Sequence, residues 1–250
     1  MKLQQKERYA VLITRPAAQG KALSQAIARL GYQPVHLPLF AIQLYHKCAA
    51  GQYISRLDLY DTVIVTSKNA AIPLMQWLDV FWPKIPEHPQ FYAVGRTTAA
   101  YLTRREISAK VPEQMHSEGL LHLLKIHHKI HGRILICKGL DGRNLLETSL
   151  RKTASSIDVS ILYRRIPLLY EANELAEKIR RADKIICTST EILLQLYKLT
   201  HEAGISLRHL SLIVSSPRLF LCAKDMGFSD IFLSKNATDQ DLIACLASLV

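Results

Sequence analysis

Two short stretches decide how this chain folds: VIVTSKNAA at Val63–Ala71 and IICTSTEIL at Ile185–Leu193. Each is an apolar run, then a threonine and a serine, then a segment that reads as a helix. Continuous apolar runs of this length read as strands buried on both faces, the kind found in parallel sheets covered by helices. The hydroxyl pair marks the junction, where a Ser or Thr side chain caps the first helical turn. The two junctions lie 122 positions apart, from Thr66 to Thr188.

That offset returns twice. Ile13 of YAVLITRP and Ile136 of RILICK are 123 apart, and each is followed two places later by a cation, Arg15 and Lys138. Gly95 of AVGRTTA and Ser216 of IVSSPRL are 121 apart. Three motif pairs holding one offset point to an internal duplication, the alternative being that α/β units simply look alike. The expected fold class is therefore α/β, with two similar parallel-sheet lobes.

The rest of the chain keeps the alternation. Ala22, Leu23, Ala26, Ile27 and Leu30 fall at helical spacing, and Gly31 stops that helix. QFYAVGRTTAAYL is strand, turn and helix; the helix after VPEQMH is capped near Ser117; a closing helix starts at Asp239. Two segments differ. Tyr32–Leu44 and Asp158–Leu169 are extended and contain prolines, which suits edge or connecting strands and not central ones.

Composition narrows the function. The 250 residues are 49% hydrophobic and 21% charged, enough for one or two domains, and the net charge is +11. A basic surplus favours an acidic partner (nucleic acid, anionic lipid, or a small polycarboxylate or phosphate) unless it serves solubility alone. The cations are spread through the chain without a concentrated arm, so no nucleic-acid partner is expected. No apolar run approaches the roughly 18 residues of a membrane span, so no membrane partner is expected either. The five cysteines are odd in number, and Cys137 and Cys187 each close an apolar run, as buried thiols of a reducing compartment do. The expected location is cytoplasmic.

Sharper motifs are missing. Gly20-Lys21 lacks the upstream glycine and the following Ser/Thr of a phosphate-binding loop, and no G-x-G-x-x-G or G-x-S-x-G occurs. His122, His127, His128 and His131 have no cysteine or carboxylate at ligand spacing, so they read as a solvated helix end. No metal and no cofactor are expected.

In open parallel sheets, ligands bind beyond the carboxyl ends of the strands. Helix N-termini there carry unpaired N–H groups and a partial positive charge that suit anions. Thr66, Ser67, Thr98, Ser189, Thr190 and Ser216 sit at such ends, with Asn69 and Gly95 beside them. Arg15, Lys68, Arg96, Lys138, Arg143 and Arg218 lie on the same loops. Capping and a solvated rim are the plain readings; a ligand with several carboxylates or phosphates is the sharper one.

Taken in order, VLITRPAAQGKALSQAIARLGYQPVHLPLFAI, YDTVIVTSKNAA, FYAVGRTTAAYL, RILICKGLDGRNLLETSLRKTASSIDVSILYRRIP and SDIFLSKNATDQDLIACL resemble the uroporphyrinogen-III synthase family across nearly the whole chain. The resemblance implies two α/β lobes joined by a two-stranded β-ladder, with a cleft between them. Residues 1–36 and 170–250 would form the first lobe and 45–160 the second. Residues 37–44 and 161–169 would be the ladder and hinge.

The implied substrate is hydroxymethylbilane, a linear tetrapyrrole with eight carboxylates. The family's enzyme removes its hydroxyl as water, and ring D attacks through its substituted carbon. A spiro intermediate then fragments and recloses with ring D inverted. No cofactor is implied. Hydroxymethylbilane synthase is a candidate partner, and a monomer is expected. Tyr163 of ILYRRIP matches the family tyrosine proposed to assist loss of the hydroxyl, with packing at the hinge as the other reading. Thr66, Ser67, Thr98 and Ser189 match family positions lining the cleft. Ser216, Arg218 and Leu219 depart from the family's Gly-x-x-Thr turn, so Arg218 is a candidate charged contact in place of a threonine hydroxyl. A non-enzymatic two-lobed binding or sensor module for an anion is the competing reading.

Overall fold

The structure is a computed structural model describing residues 9–45 and 51–249. Cys48 therefore lies outside the described residues. The strands, in chain order, begin with β1 Ala10–Ile13, β2 Gln33–His36, β3 Phe40–Leu44 and β4 Thr62–Val65. Next come β5 Gln90–Ala93, β6 Ala109–Lys110, β7 Arg133–Gly139 and β8 Ser156–Pro167. The last are β9 Lys184–Cys187, β10 Ser211–Val214 and β11 Ile231–Leu233. Helices follow most of them, and the chain divides into two compact units, Met1–Ala41 with Ile166–Val250, and Ile42–Arg165.

The first unit holds a five-stranded sheet in the order β11-β10-β9-β1-β2. All four of its strand pairs are parallel. Its central strand β1 is buried along its whole length, and β9 and β10 in all but their first residue, because helices cover both faces. One face packs Leu12, Ile185 and Leu212 with the helix residues Leu193 and Leu196. The other packs Val11, Ile13 and Ile213 with Leu23, Ile27 and Leu242. Each such aliphatic side chain contributes about 1.5–3 kcal/mol by leaving water. Strand β2 is the edge, which tolerates Pro34 because no outer neighbour needs its N–H.

The second unit holds the order β6-β5-β4-β7-β8, with β3 added outside β8. The order repeats that of the first unit, and so does the register. Ala10 faces Gln33, and 123 positions on Arg133 faces Ser156. Val11 faces Lys184, and their counterparts Ile134 and Thr62 face each other. Ser211 faces Lys184 as Gln90 faces Thr62.

An aspartate clamp is duplicated too. Asp183 donates its N–H to Ala10 O (2.9 Å) and accepts the Ala10 N–H on Oδ2 (2.7 Å). Asp61 does the same with Arg133, at 2.9 and 2.7 Å. The periodic motifs thus correspond to repeated backbone pairing and not to a general likeness of α/β units.

Strand β8 has two roles. Its first half runs parallel to β7, while Tyr45 N–H donates to Leu162 O and Leu168 N–H to Leu39 O, both at 2.9 Å, so β3 runs antiparallel to the second half. The unit boundaries at 41/42 and 165/166 fall within this pair of strands. At the β7–β8 pairing the register jumps: Lys138 faces Ile161, but Gly139 faces Tyr163, so Leu162 is an extra residue. Before the jump, Ile157 and Val159 face one core layer; after it, Leu162 and Tyr163 both join the other.

Candidate active site

The strand order places a topological switch point in each unit, where successive connections leave in opposite directions. In the first unit it lies between β1 and β9; in the second, between β4 and β7. The residues just past those strands are Thr14, Arg15, Thr188 and Ser189, and Thr66 and Ser67, with Lys138 and Gly139 closing β7 itself.

The paired hydroxyls divide two tasks. The first stitches neighbouring strand ends: Thr66 Oγ1 donates to Cys137 O (3.2 Å), and Ser215 Oγ to Thr188 O (3.1 Å). The second caps the helix. Ser67 Oγ accepts the Ala70 N–H (3.2 Å), Ser189 Oγ that of Ile192 (3.3 Å) and Ser216 Oγ that of Leu219 (3.3 Å). Each cap satisfies one of the donors that a helix N-terminus leaves without an intrahelical partner, so an anion can use the remainder. At Ser216 the next residue is Pro217, which has no N–H, so that terminus offers one donor fewer.

Tyr163 lies at the second unit's switch point. Its ring is only 5% exposed and belongs to the core, while its hydroxyl stands 3.1 Å from Ser67 Oγ. The ring packs in the core while the hydroxyl reaches the serine that caps the next helix. Beneath the ring lies Gly139: a Cβ there would stand 2.5 Å from the ring carbon Cζ. Gly139 was not singled out from the sequence. A glycine closing a strand signals close backbone approach, but what approaches is set by the register shift.

The cations do not form one rim. Arg15 is buried at 7% exposure, donating to Asp239 Oδ1 (2.5 Å) and to the Ala237 carbonyl. Lys138 is buried at 4%, with Nζ donating to Asn144 Oδ1 at 2.6 Å. Both hold loops in place. Arg143 pairs with Glu118 through two hydrogen bonds, 2.7 and 3.3 Å, and this guanidinium holds the Glu118 carboxyl below its ordinary pKa. Lys68, Arg96 and Arg218 are exposed, with Lys68 Nζ 5.9 Å from the Tyr101 ring centre. Asn69 and Thr190 are half-buried at the first turns of their helices. Gly95 caps the Arg96–Leu102 helix, with open space where a Cβ would stand, whereas Thr98 is buried and Thr97 is exposed.

Two smaller expectations are refined. The helix at Ser117–Ile126 is capped by His116, whose Nδ1 accepts the Gly119 N–H (3.1 Å). His127 of the histidine cluster lies 3.0 Å from the Tyr92 hydroxyl. Among the described residues, no three His, Cys, Asp or Glu side chains gather as a metal site, and no helix is long and apolar enough to cross a membrane. A surface depression of about 610 Å³ at Lys84, Gln90, Phe91, Arg105 and Ile107 lies at the amino end of β5, away from the switch point.

The model of the uroporphyrinogen-III synthase (HemD) family matches residues 21–244. The chain belongs to that family. Uroporphyrinogen-III synthase of Escherichia coli (strain K12) is 28% identical over 94% of this chain and 99% of its own length. The Proteus mirabilis synthase is 30% identical over 69% of this chain and 88% of its own. Among solved structures, a mutant uroporphyrinogen III synthase from the extremely thermophilic bacterium Thermus thermophilus aligns with a TM-score of 0.65 at 15% identity, covering 96% of this chain and 97% of that one. The Helicobacter pylori 26695 synthetase aligns with a TM-score of 0.61 at 17% identity, covering 97% and 100%. The fold is shared with both. Uroporphyrinogen-III synthase membership makes the chain an enzyme of tetrapyrrole biosynthesis, a lyase acting on a small molecule, and the sensor-module reading is not favoured.

Proposed function

We propose that this chain dehydrates and cyclises hydroxymethylbilane to uroporphyrinogen III with inversion of ring D, and that Tyr163 assists departure of the hydroxyl. Family membership supports the reaction. The observation that carries the reading to particular residues is the Tyr163–Ser67 hydroxyl pair beside the N-terminus of the Lys68–Phe81 helix. When the bilane C–O bond breaks, the departing hydroxyl takes a proton and leaves as water; a phenol is a donor of suitable kind.

The substrate's carboxylates suit the capped helix ends at Ser67, Ser189 and Ser216 and the exposed cations Lys68, Arg96 and Arg218. Thr66, Asn69, Gly95 and Thr190 belong to those ends, while Arg15, Lys138 and Arg143 act by shaping loops. The bilane also cyclises without an enzyme, uninverted, so catalysis here is chiefly orientation of a flexible chain. That accounts for a site built from helix caps and cations. The same reading has a monomer in the cytoplasm receiving its labile substrate from hydroxymethylbilane synthase, each unit having a core of its own.

The test is a product assay. Purified protein mixed with freshly made hydroxymethylbilane yields the type III isomer by chromatographic separation; type I alone refutes the reading.

A further inference from the structure

We propose that Gly139 and Ser67 are positioning residues for the Tyr163 hydroxyl, Gly139 by leaving a slot for the ring and Ser67 by holding the oxygen at the slot's end. The inference rests on the reading of Tyr163 given above and adds how the fold aims it.

Side chains on a regular strand alternate between faces. On β8, Ile157 and Val159 face the layer containing Leu120 and Leu146, so an unbroken count would send residue 163 there as well. The extra residue at Leu162 changes this. Bulges re-aim side chains in this way, and Tyr163 joins the opposite layer, with Leu74, Ala70 and Val65. Its ring then lies over Gly139. With a Cβ at Gly139, contacts of 2.5, 2.8 and 2.9 Å to Cζ, Cε2 and Cε1 would force the ring out. The backbone is pinned as well, since Leu140 N–H donates to Tyr163 O at 2.8 Å. The ring cannot yield by letting the strand drift.

At the far end, the Tyr163 oxygen meets Ser67 Oγ at 3.1 Å. Ser67 Oγ already accepts the Ala70 N–H, so the serine is fixed at the helix N-terminus and its own proton can be donated. With Ser67 as donor, the phenol proton stays available to the departing hydroxyl. As the C–O bond breaks and water leaves, the phenolate keeps the Ser67 O–H hydrogen bond and lies at the positive end of the helix. The arrangement is particular to one repeat: the position 123 places before Gly139 is Pro16, which offers no such slot.

The experiment is a pair of double-mutant cycles, Gly139→Ala and Ser67→Ala, each in the Tyr163 and the Tyr163→Phe backgrounds, with kcat, KM and the isomer ratio measured. In the Tyr163 background both variants lower kcat on the order of tenfold, the scale of one misplaced hydrogen bond in a transition state; Gly139→Ala changes KM by less than about twofold, whereas Ser67→Ala also raises KM through loss of the helix cap. Ser67→Thr, which keeps cap and hydroxyl, recovers most of the Ser67→Ala loss. In the Tyr163→Phe background neither variant lowers kcat more than about twofold further, because the oxygen they position is gone, while the KM effect of losing the Ser67 cap is the same in both backgrounds. Equal kcat losses in both backgrounds overturn the proposal, since they would show roles independent of Tyr163; so does a Tyr163→Phe enzyme as fast as the parent. Urea unfolding separates a Gly139→Ala chain that fails to fold, in which case the Ser67 cycle decides alone. Type I product from the unmutated enzyme would instead remove the proposed function itself.

Discussion

The duplicated aspartate clamp allows one motif to be tested in two environments. Asp183→Ala removes the acceptor of the Ala10 N–H, and Asp61→Ala removes that of the Arg133 N–H, both at 2.7 Å. The sequence contexts correspond at an offset of 122, but the residues that carry the donors differ in burial. Ala10 is 2% exposed, whereas Arg133 is exposed. Truncating Asp183 therefore strands a buried N–H, at a cost of about 1–3 kcal/mol, or roughly a 5- to 150-fold rise in the unfolding constant. Truncating Asp61 lets water take the place of the carboxylate, so its cost is about 1 kcal/mol or less. The Asp61 contact to His88, 3.8 Å between exposed groups, adds little.

The two changes can be followed separately. Both tryptophans, Trp77 and Trp82, lie in the unit formed by 42–165, so their fluorescence reports Asp61→Ala. Far-UV circular dichroism in urea reports both units, and amide exchange at Ala10 reports Asp183→Ala directly. Equal costs, or a larger cost for Asp61→Ala, would refute the argument that donor burial sets the energy of the clamp.

Other predictions are more local. Arg218→Ala raises KM several-fold for the bilane with little change in kcat, since Arg218 is exposed at a helix end; unchanged steady-state constants would remove it from the binding surface. Gly20→Ala gains up to about 1 kcal/mol of helix propensity, yet its Cβ would fall 2.1 Å from His36 Nε2, which bonds the Arg15 carbonyl at 2.9 Å. The overpacking cost of about 1–3 kcal/mol wins, and thermal unfolding shows a lowered Tm, whereas a raised Tm would show that His36 yields freely. Burial pushes the Cys137 and Cys187 thiols up to about 12. In the unfolded chain they ionise near about 8.5. Above that pH the unfolded state holds fewer protons than the native one, so stability falls by up to about 1.4 kcal/mol per pH unit per thiol. A chain with both cysteines changed to alanine loses Tm less steeply between pH 8.5 and 10, and parallel slopes would contradict this.

The sequence alone determined a good deal. Apolar runs covered on both faces, Gly31 as a helix stop, Pro34 of edge strand β2 and the offset near 122 are local or periodic signals. They hold because strand and helix formation follow side-chain character within a few residues. The hydroxyl pairs at the junctions were legible for the same reason, though not that one hydroxyl stitches strands and the next caps a helix. Only the tertiary structure decided the rest. Arg15 reads as a rim cation until Asp239, 224 positions away, is brought to it. Lys138 reads the same way until its loop folds Asn144 back over it. Tyr163 would face the other core layer on any strict alternation, and it is turned by a bulge that exists only in the pairing of two strands. Burial, ion pairing and register are properties of what a segment is packed against, so no segment carries them by itself.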